Sequence, residues 1–429
     1  MVKKSVKVFL ALMFLILSVT FISCGSKNTN QKRITVSWWG GESRHEATVS
    51  AIKAFEKKNP DIKVDVQFGS WDGWEDAQTA AFYAGTQADI TQVNWNWIYV
   101  YGAEKDIFLD LNTVSDYIDL SNYDEASLLQ CTLNDRLQAV PVSVTGRIFY
   151  WNSSVYEKAG LSIPHSLSEL YNAGKVFKEK LGDDYYPLTL GEYDRMILMV
   201  YYLGSVYGKP WISEGELNYT PEEIEKGMDF ICSLEENHVI PTIADIIGDG
   251  AATFDKSPEW INGKYAGIFE WDSAASKYKK ALGEDQKFVV GDYFEDMGDY
   301  RGGFSKISVA FTISENTDYP EECARLLDFM LNDPEGSVLM SVERGIPLSN
   351  SALESCKNAG LLDGIEFEAN SKVLSWAKYS LDINFEDPKL RVNPEGVYYD
   401  AFSGLSYGDY TSAEAAKIIY DSVYEVLSK

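Results

Sequence analysis

Tryptophans recur in this chain at the points where apolar runs end. In the stretch ITVSWWGGE, residues 34–42, a strand-like pattern runs into Trp38 and Trp39 and then into Gly40, Gly41 and Glu42. Two further runs close in the same way: Gly69, Ser70 and Trp71 follow IKVDVQF, and Asn94, Trp95, Asn96 and Trp97 follow ADITQV. Indole faces beside side-chain amides suit a ligand that has flat C–H patches edged by hydroxyls, which is the chemistry of a sugar. The segment GKYAGIFEWDS ends on Glu270, Trp271 and Asp272, so a second aromatic edge is expected. The competing reading places these indoles in the core, as one or two tryptophans covering a sheet end would be.

Other constellations carry less. Hydrolysis of a glycosidic bond needs two flanking carboxylates, and Glu42, Glu75, Glu270 and Asp272 are candidates; with 65 acids in the chain, some fall near any cleft. GLSYG, residues 404–408, matches a serine-hydrolase pattern, but that pattern needs a preceding strand and a later histidine. The histidines, His45, His165 and His238, all precede Ser406, so the motif reads as a glycine-rich loop before the last helix. Scattered histidines and unpaired cysteines give no zinc set. DINFEDP and EDMGDY lack calcium-loop spacing and read as surface charge. No phosphate-binding GxxxxGK[ST] loop occurs, so no cofactor is expected and any transport energy must come from partner chains.

A length of 429 residues exceeds one ordinary hydrophobic nucleus and points to two lobes. Lys plus Arg number 38 against 65 Asp plus Glu, a formal charge of -27, which repels phosphate backbones and argues against nucleic acid as a partner. Lys3, Lys4 and Lys7 precede an apolar run from Val8 to Phe21, shorter than the ~20 residues of a spanning helix and so read as a signal peptide over residues 1–23. FISCGSKN then looks like a bacterial lipobox that would lipidate Cys24, and residues 24–33 read as anchor and polar tether. Cys131, Cys232, Cys323 and Cys356 lack CxxC spacing; Cys232 and Cys323 sit in amphipathic patterns and are more simply thiols than disulfides.

Periodicity predicts strand, helix, strand, helix, strand from Ile34 to Asn94, hence a parallel sheet with ligands outside the carboxyl ends of its strands. LQAVPVSVTGRIFYWN reads as a crossing into a second lobe and YRGGFSKISVAFTIS as the return, with a largely helical chain between them and after. Two crossings make a hinge, and a cleft that closes on its ligand follows.

The ordered set FISC, ITVSWW with AIKAFEKKNPDIKVDVQ, ADITQVN, AVPVSVTGRIFYWNSSVYEKAGL, GKYAGIFEWDS, GGFSKISVAFTIS and CARLLDFMLNDPEGSVLMSVERGIPLSNSAL resembles the bacterial extracellular solute-binding proteins of family 1. These are carbohydrate-binding subunits of ABC importers similar to maltose-binding protein. The resemblance spans Ile34 to about Leu353. It implies an α/β, two-lobed periplasmic-binding-protein-like fold of type II. Expected lobes are residues 34–143 with 307–345, and 144–306 with 346–429. It also implies sugar capture between the lobes and delivery to the membrane permease of an ABC importer by an extracytoplasmic, lipid-anchored monomer. By position, Trp38, Trp39, Asn94, Trp95, Thr145, Gly146, Trp271 and Gly303 should face the cleft, joined by Glu42, Trp71, Asp272 and Arg344. Arg344 has an alternative role, pinning the hinge through a carboxylate. The alternatives in function are a non-sugar solute receptor and a secreted glycoside hydrolase.

Overall fold

The computed structural model describes residues 31–71, 73–102, 106–251 and 253–428. The signal peptide, Cys24 and most of the tether lie outside the described residues. Among the described residues no helix is long and apolar enough to cross a membrane.

Three strands open the chain: β1 (Lys32–Trp39), β2 (Ile62–Gly69) and β3 (Ile90–Asn94). Both β2 and β3 pair with β1 in parallel, as the alternation with helices predicts. The helix Glu42–Lys58 buries Thr48, Ala51, Ile52 and Phe55, a spacing that puts one apolar stripe on the sheet. It carries Lys57 and Lys58 in its last turn, where the helix dipole favours cations.

The chain leaves this sheet through β4 (Val140–Pro141) and enters the second through β5 (Val144–Asn152). The second sheet is built on β5, which is flanked by β6 (Gly267–Trp271) on one side and by β7 (Phe288–Val290) and β8 (Phe304–Ile307) on the other. All three run antiparallel to β5, whereas the parallel pairing expected from Ile34 to Asn94 is found among β1–β3. After Ser308 the chain returns as β9 (Val309–Ile313), antiparallel to β3, and β10 (Tyr379–Ser380) later edges the second sheet beside β8. The first sheet has the order β2-β1-β3-β9-β4.

The passages between sheets are tied together by backbone hydrogen bonds. Ser308 N donates to Ser143 O over 2.8 Å, Val142 N to Val309 O over 3.0 Å, and Leu348 N to Val142 O over 2.9 Å. Residue 346 was expected to begin the return to the second lobe. Instead the helix Asn350–Asn358 packs on Pro334–Met340, with Ser351 Oγ donating to Asn332 O over 2.7 Å. Ile365–Trp376 is the next helix, and it lies against β5. The helices Val397–Tyr407 and Ser412–Leu427 then pack on Glu192–Tyr207 and Pro221–Glu236, one helical layer of the second lobe.

GLSYG falls inside the helix Val397–Tyr407 up to its left-handed Gly408 cap, not in a loop. Ser406 Oγ donates to Glu235 Oε1 over 2.7 Å and accepts from Ile243 N over 3.0 Å, so the serine joins helices. The four described cysteines are free; three are buried and Cys232 partly so.

Candidate functional site

A chamber of about 620 Å³, open to solvent on one side, lies between the sheets. The first lobe supplies Asn94, Trp95 and Asn96, the residues that follow β3. Trp95 is 3% exposed, and its Nε1 donates to Gln130 O over 2.7 Å, which fixes the plane of the ring. The second lobe supplies Thr145 on β5, Trp271 at the end of β6, and Tyr193 from the first turn of Glu192–Tyr207. Of the expected set, then, Asn94, Trp95, Thr145 and Trp271 come together here.

The cations of this chamber were not expected. Lys306 on β8 and Arg391 at the end of the helix Pro388–Arg391 both line it, and both are held by the buried carboxylate of Glu386. Tyr193 OH donates to the same carboxylate over 3.1 Å. Lys306 Nζ lies 4.7 Å from the Trp271 ring centroid and Arg147 Cζ lies 4.6 Å from it, so the indole is fixed by two cation–π contacts. Arg147 in turn meets Asp194 at 2.8 Å and Glu270 at 2.7 Å. Burial pushes Asp194 up to about 6, and Arg147 works against that rise. Lys306 is the one charged residue in the strand segment FSKIS, a weak local hint of a functional residue; Arg391 has none.

Several expected residues lie elsewhere. Trp38 is fully buried, stacked on Phe68 at 5.0 Å with Nε1 donating to His45 Nδ1 over 3.1 Å. Because β1 stays extended to its last residue, Trp38 and Trp39 point to opposite faces. Trp39 is 8% exposed and packs on Trp71 at 5.1 Å and Trp97 at 5.5 Å. Trp71, 41% exposed, caps that cluster, and the chamber reaches neither ring. Glu42 is exposed at a helix start. Gly146 and Gly303 are packing positions: a Cβ would meet Val373 Cγ1 at 2.5 Å from the former, and Trp376 and Tyr201 at 2.8 Å from the latter.

Asp272 braces the second lobe beside the crossing. It accepts from Thr145 Oγ1, from Asn370 Nδ2 over 2.6 Å and from Ser273 N over 2.8 Å, and Asn370 Nδ2 also reaches Val144 O. Burial pushes its carboxyl up to about 6. Arg344 is buried in the first lobe, where Nε donates to Gln92 Oε1 over 2.6 Å and Cζ lies 5.2 Å from the Phe311 centroid. It braces the crossing through its carbonyl, which accepts from Ser143 Oγ over 2.5 Å, rather than through a carboxylate.

Two α/β lobes joined by hydrogen-bonded crossings around a lined cleft define a type II periplasmic-binding fold. The chain belongs to the bacterial extracellular solute-binding protein family, whose model matches residues 41–336. A periplasmic oligogalacturonide-binding protein from Yersinia enterocolitica, solved with saturated digalacturonic acid, is 33% identical over 93% of this chain and 99% of that one, with a TM-score of 0.82. A periplasmic solute-binding protein from Pectobacterium atrosepticum is 30% identical over the same shares, with a TM-score of 0.85. A putative binding protein of Brucella abortus is 26% identical, and there the match spans about a third of the curated relative (33% of its length).

Proposed function

We propose that this protein is the extracytoplasmic receptor of an ABC importer, held to the membrane through a lipidated Cys24, and that it captures an oligosaccharide carrying carboxylates and hands it to the permease. The observation that carries the reading is the pairing of ring faces with cations. Trp271 offers a stacking surface above a wall that includes the buried Trp95, Asn94 and Asn96 serve hydroxyls, and Lys306 and Arg391 stand where a uronate carboxylate would enter. Lys306 and Arg391 share one carboxylate, Glu386, which leaves one positive charge in excess while the lysine is protonated. Burial and the neighbouring Arg391 and Arg147 push the lysine's pKa well down, and an incoming carboxylate would restore its charge. The acidic disaccharide bound by the Yersinia relative supports the same reading.

Closure of the second lobe over Asn94 and Trp95 would add Trp271, Lys306 and Arg391 to the ligand. That favours the closed form only by the difference in affinity between the two forms. Hydrolysis is disfavoured because three of the four candidate carboxylates are engaged, Glu75 accepting from Trp97 Nε1, Glu270 from Tyr278 OH and Arg147, and Asp272 from Thr145 and Asn370, while Glu42 is exposed at a helix start and does not line the chamber.

The test is a titration followed by intrinsic tryptophan fluorescence, using digalacturonate, longer acidic oligosaccharides and their uncharged counterparts. A saturable change with acidic glycans, which are then recovered intact by chromatography, is expected. Silence toward every glycan, or recovery of shortened products, refutes the reading.

A further inference from the structure

The cleft continues past the first chamber. A second space of about 600 Å³ lies between the helix Trp97–Gly102 of the first lobe and the turn 383–388 of the second. The two chambers share Asn96, and they are separated by the buried ion cluster of Glu386. That cluster has two sides. Lys306 and Arg391 face the first chamber, while Glu386 itself and Asp387 stand in the wall of the second. The four-residue helix Pro388–Arg391 produces the division, since Arg391 is its last residue and Asp387 is its N-cap, accepting from Lys389 N over 2.8 Å. The remaining lining of the second chamber is Tyr99, Asn384, Val100, Ile383 and Pro388: one ring face, one amide and three apolar side chains, with no cation.

We propose that the cleft reads its ligand with a polarity, taking an acidic sugar unit beside Lys306 and Arg391 and an uncharged unit, a neutral sugar or an esterified uronate, beside Tyr99, Asn384 and Asp387. This rests on the acidic-oligosaccharide reading above and narrows its substrate class to mixed or partly esterified chains. A carboxylate in the second chamber would meet Asp387 with no positive partner in its wall, while Glu386 is already neutralised by Lys306 and Arg391. Like charges lining one cleft repel. A methyl ester removes that charge, and Val100 and Ile383 provide apolar surface for the methyl group.

The test uses the mature protein and calorimetric titration with digalacturonate, with each of its two monomethyl esters, and with the dimethyl ester. One monoester should bind about tenfold more tightly than its positional isomer, equivalent to ~1.4 kcal/mol, and at least as tightly as the free diacid. Asp387→Asn should raise the affinity for the diacid and so narrow its gap to the favoured monoester. Asparagine is also a good N-cap, so the short helix is retained. Equal affinity of the two isomers, tighter binding of the diacid than of both, or no effect of Asp387→Asn on the diacid overturns the polarity and leaves the acidic-sugar receptor standing. Failure of every acidic glycan to bind removes both.

Discussion

Replacing Lys306 with Met isolates the charge of the cleft from its shape. The thioether keeps an unbranched stem near Trp271, where the ammonium now lies 4.7 Å from the ring centroid. Glu386 is not abandoned by the change, because Arg391 and Tyr193 OH still bind it. The fold should therefore persist, with a melting curve close to the parent's. A ligand carboxylate would lose one of two cations. A hydrogen bond to a charged group is worth ~1.5–3 kcal/mol, and Glu386 already draws on part of the lysine's charge. About 2 kcal/mol is therefore expected, or a ~30-fold weaker Kd for digalacturonate. An uncharged disaccharide of the same linkage should change by less than about threefold, below ~0.7 kcal/mol. Calorimetric titration of both proteins with both ligands gives the four constants. Equal losses for acidic and neutral ligands, or no loss for the acidic one, would refute the assignment of Lys306 as a carboxylate contact.

Three further outcomes are expected. Trp271→Ala should weaken glycan binding by tenfold or more, whereas Trp38→Ala, which empties a fully buried site, should cost ~3–5 kcal/mol in denaturant unfolding; the reverse pattern would restore Trp38 to the ligand site. Asp272 has a folded pKa raised to about 6, so the folded state holds its proton more tightly than the unfolded one and stability falls as pH rises from about 4 to about 6. Asp272→Asn removes that contribution, so its melting temperature relative to the parent should rise across the interval; a pH-independent difference would show that the carboxyl titrates normally. Ser406→Ala should lower stability by ~1–2 kcal/mol through its lost bonds to Glu235 and Ile243 while leaving glycan titrations unchanged, and a loss of any esterase activity on this change would instead revive the serine-hydrolase reading.

Much of the fold was legible because its elements announce themselves locally. The spacing of Thr48, Ala51, Ile52 and Phe55 makes one helix face apolar, and Ser166, Thr220 and Thr411 cap helices where the sequence places a hydroxyl before a helical pattern. The two crossings were visible as apolar runs broken near Ser143 and Ser308. Four of the ten residues that line the chamber were legible too, since Asn94, Trp95 and Trp271 stand directly at strand ends and Thr145 lies beside the crossing. Gly146 and Gly303 misled because a glycine at a crossing signals close approach without saying of what; here it is Val373 in one case, and Trp376 and Tyr201 in the other.

By itself, the sequence determined the order of strands and helices, the double passage between two sheets, and the delivery of indoles to strand ends. These follow from periodicities of two and 3.6 and from residues that interrupt them. Only the tertiary structure decided which indole is offered to a ligand. Strand alternation sends Trp38 and Trp39 to opposite faces, and the neighbouring layers then cover both. It alone also made the cleft cationic: Lys306 and Arg391 lie far apart in the chain, and Glu386 gathers them at one point because a buried carboxylate must be paired.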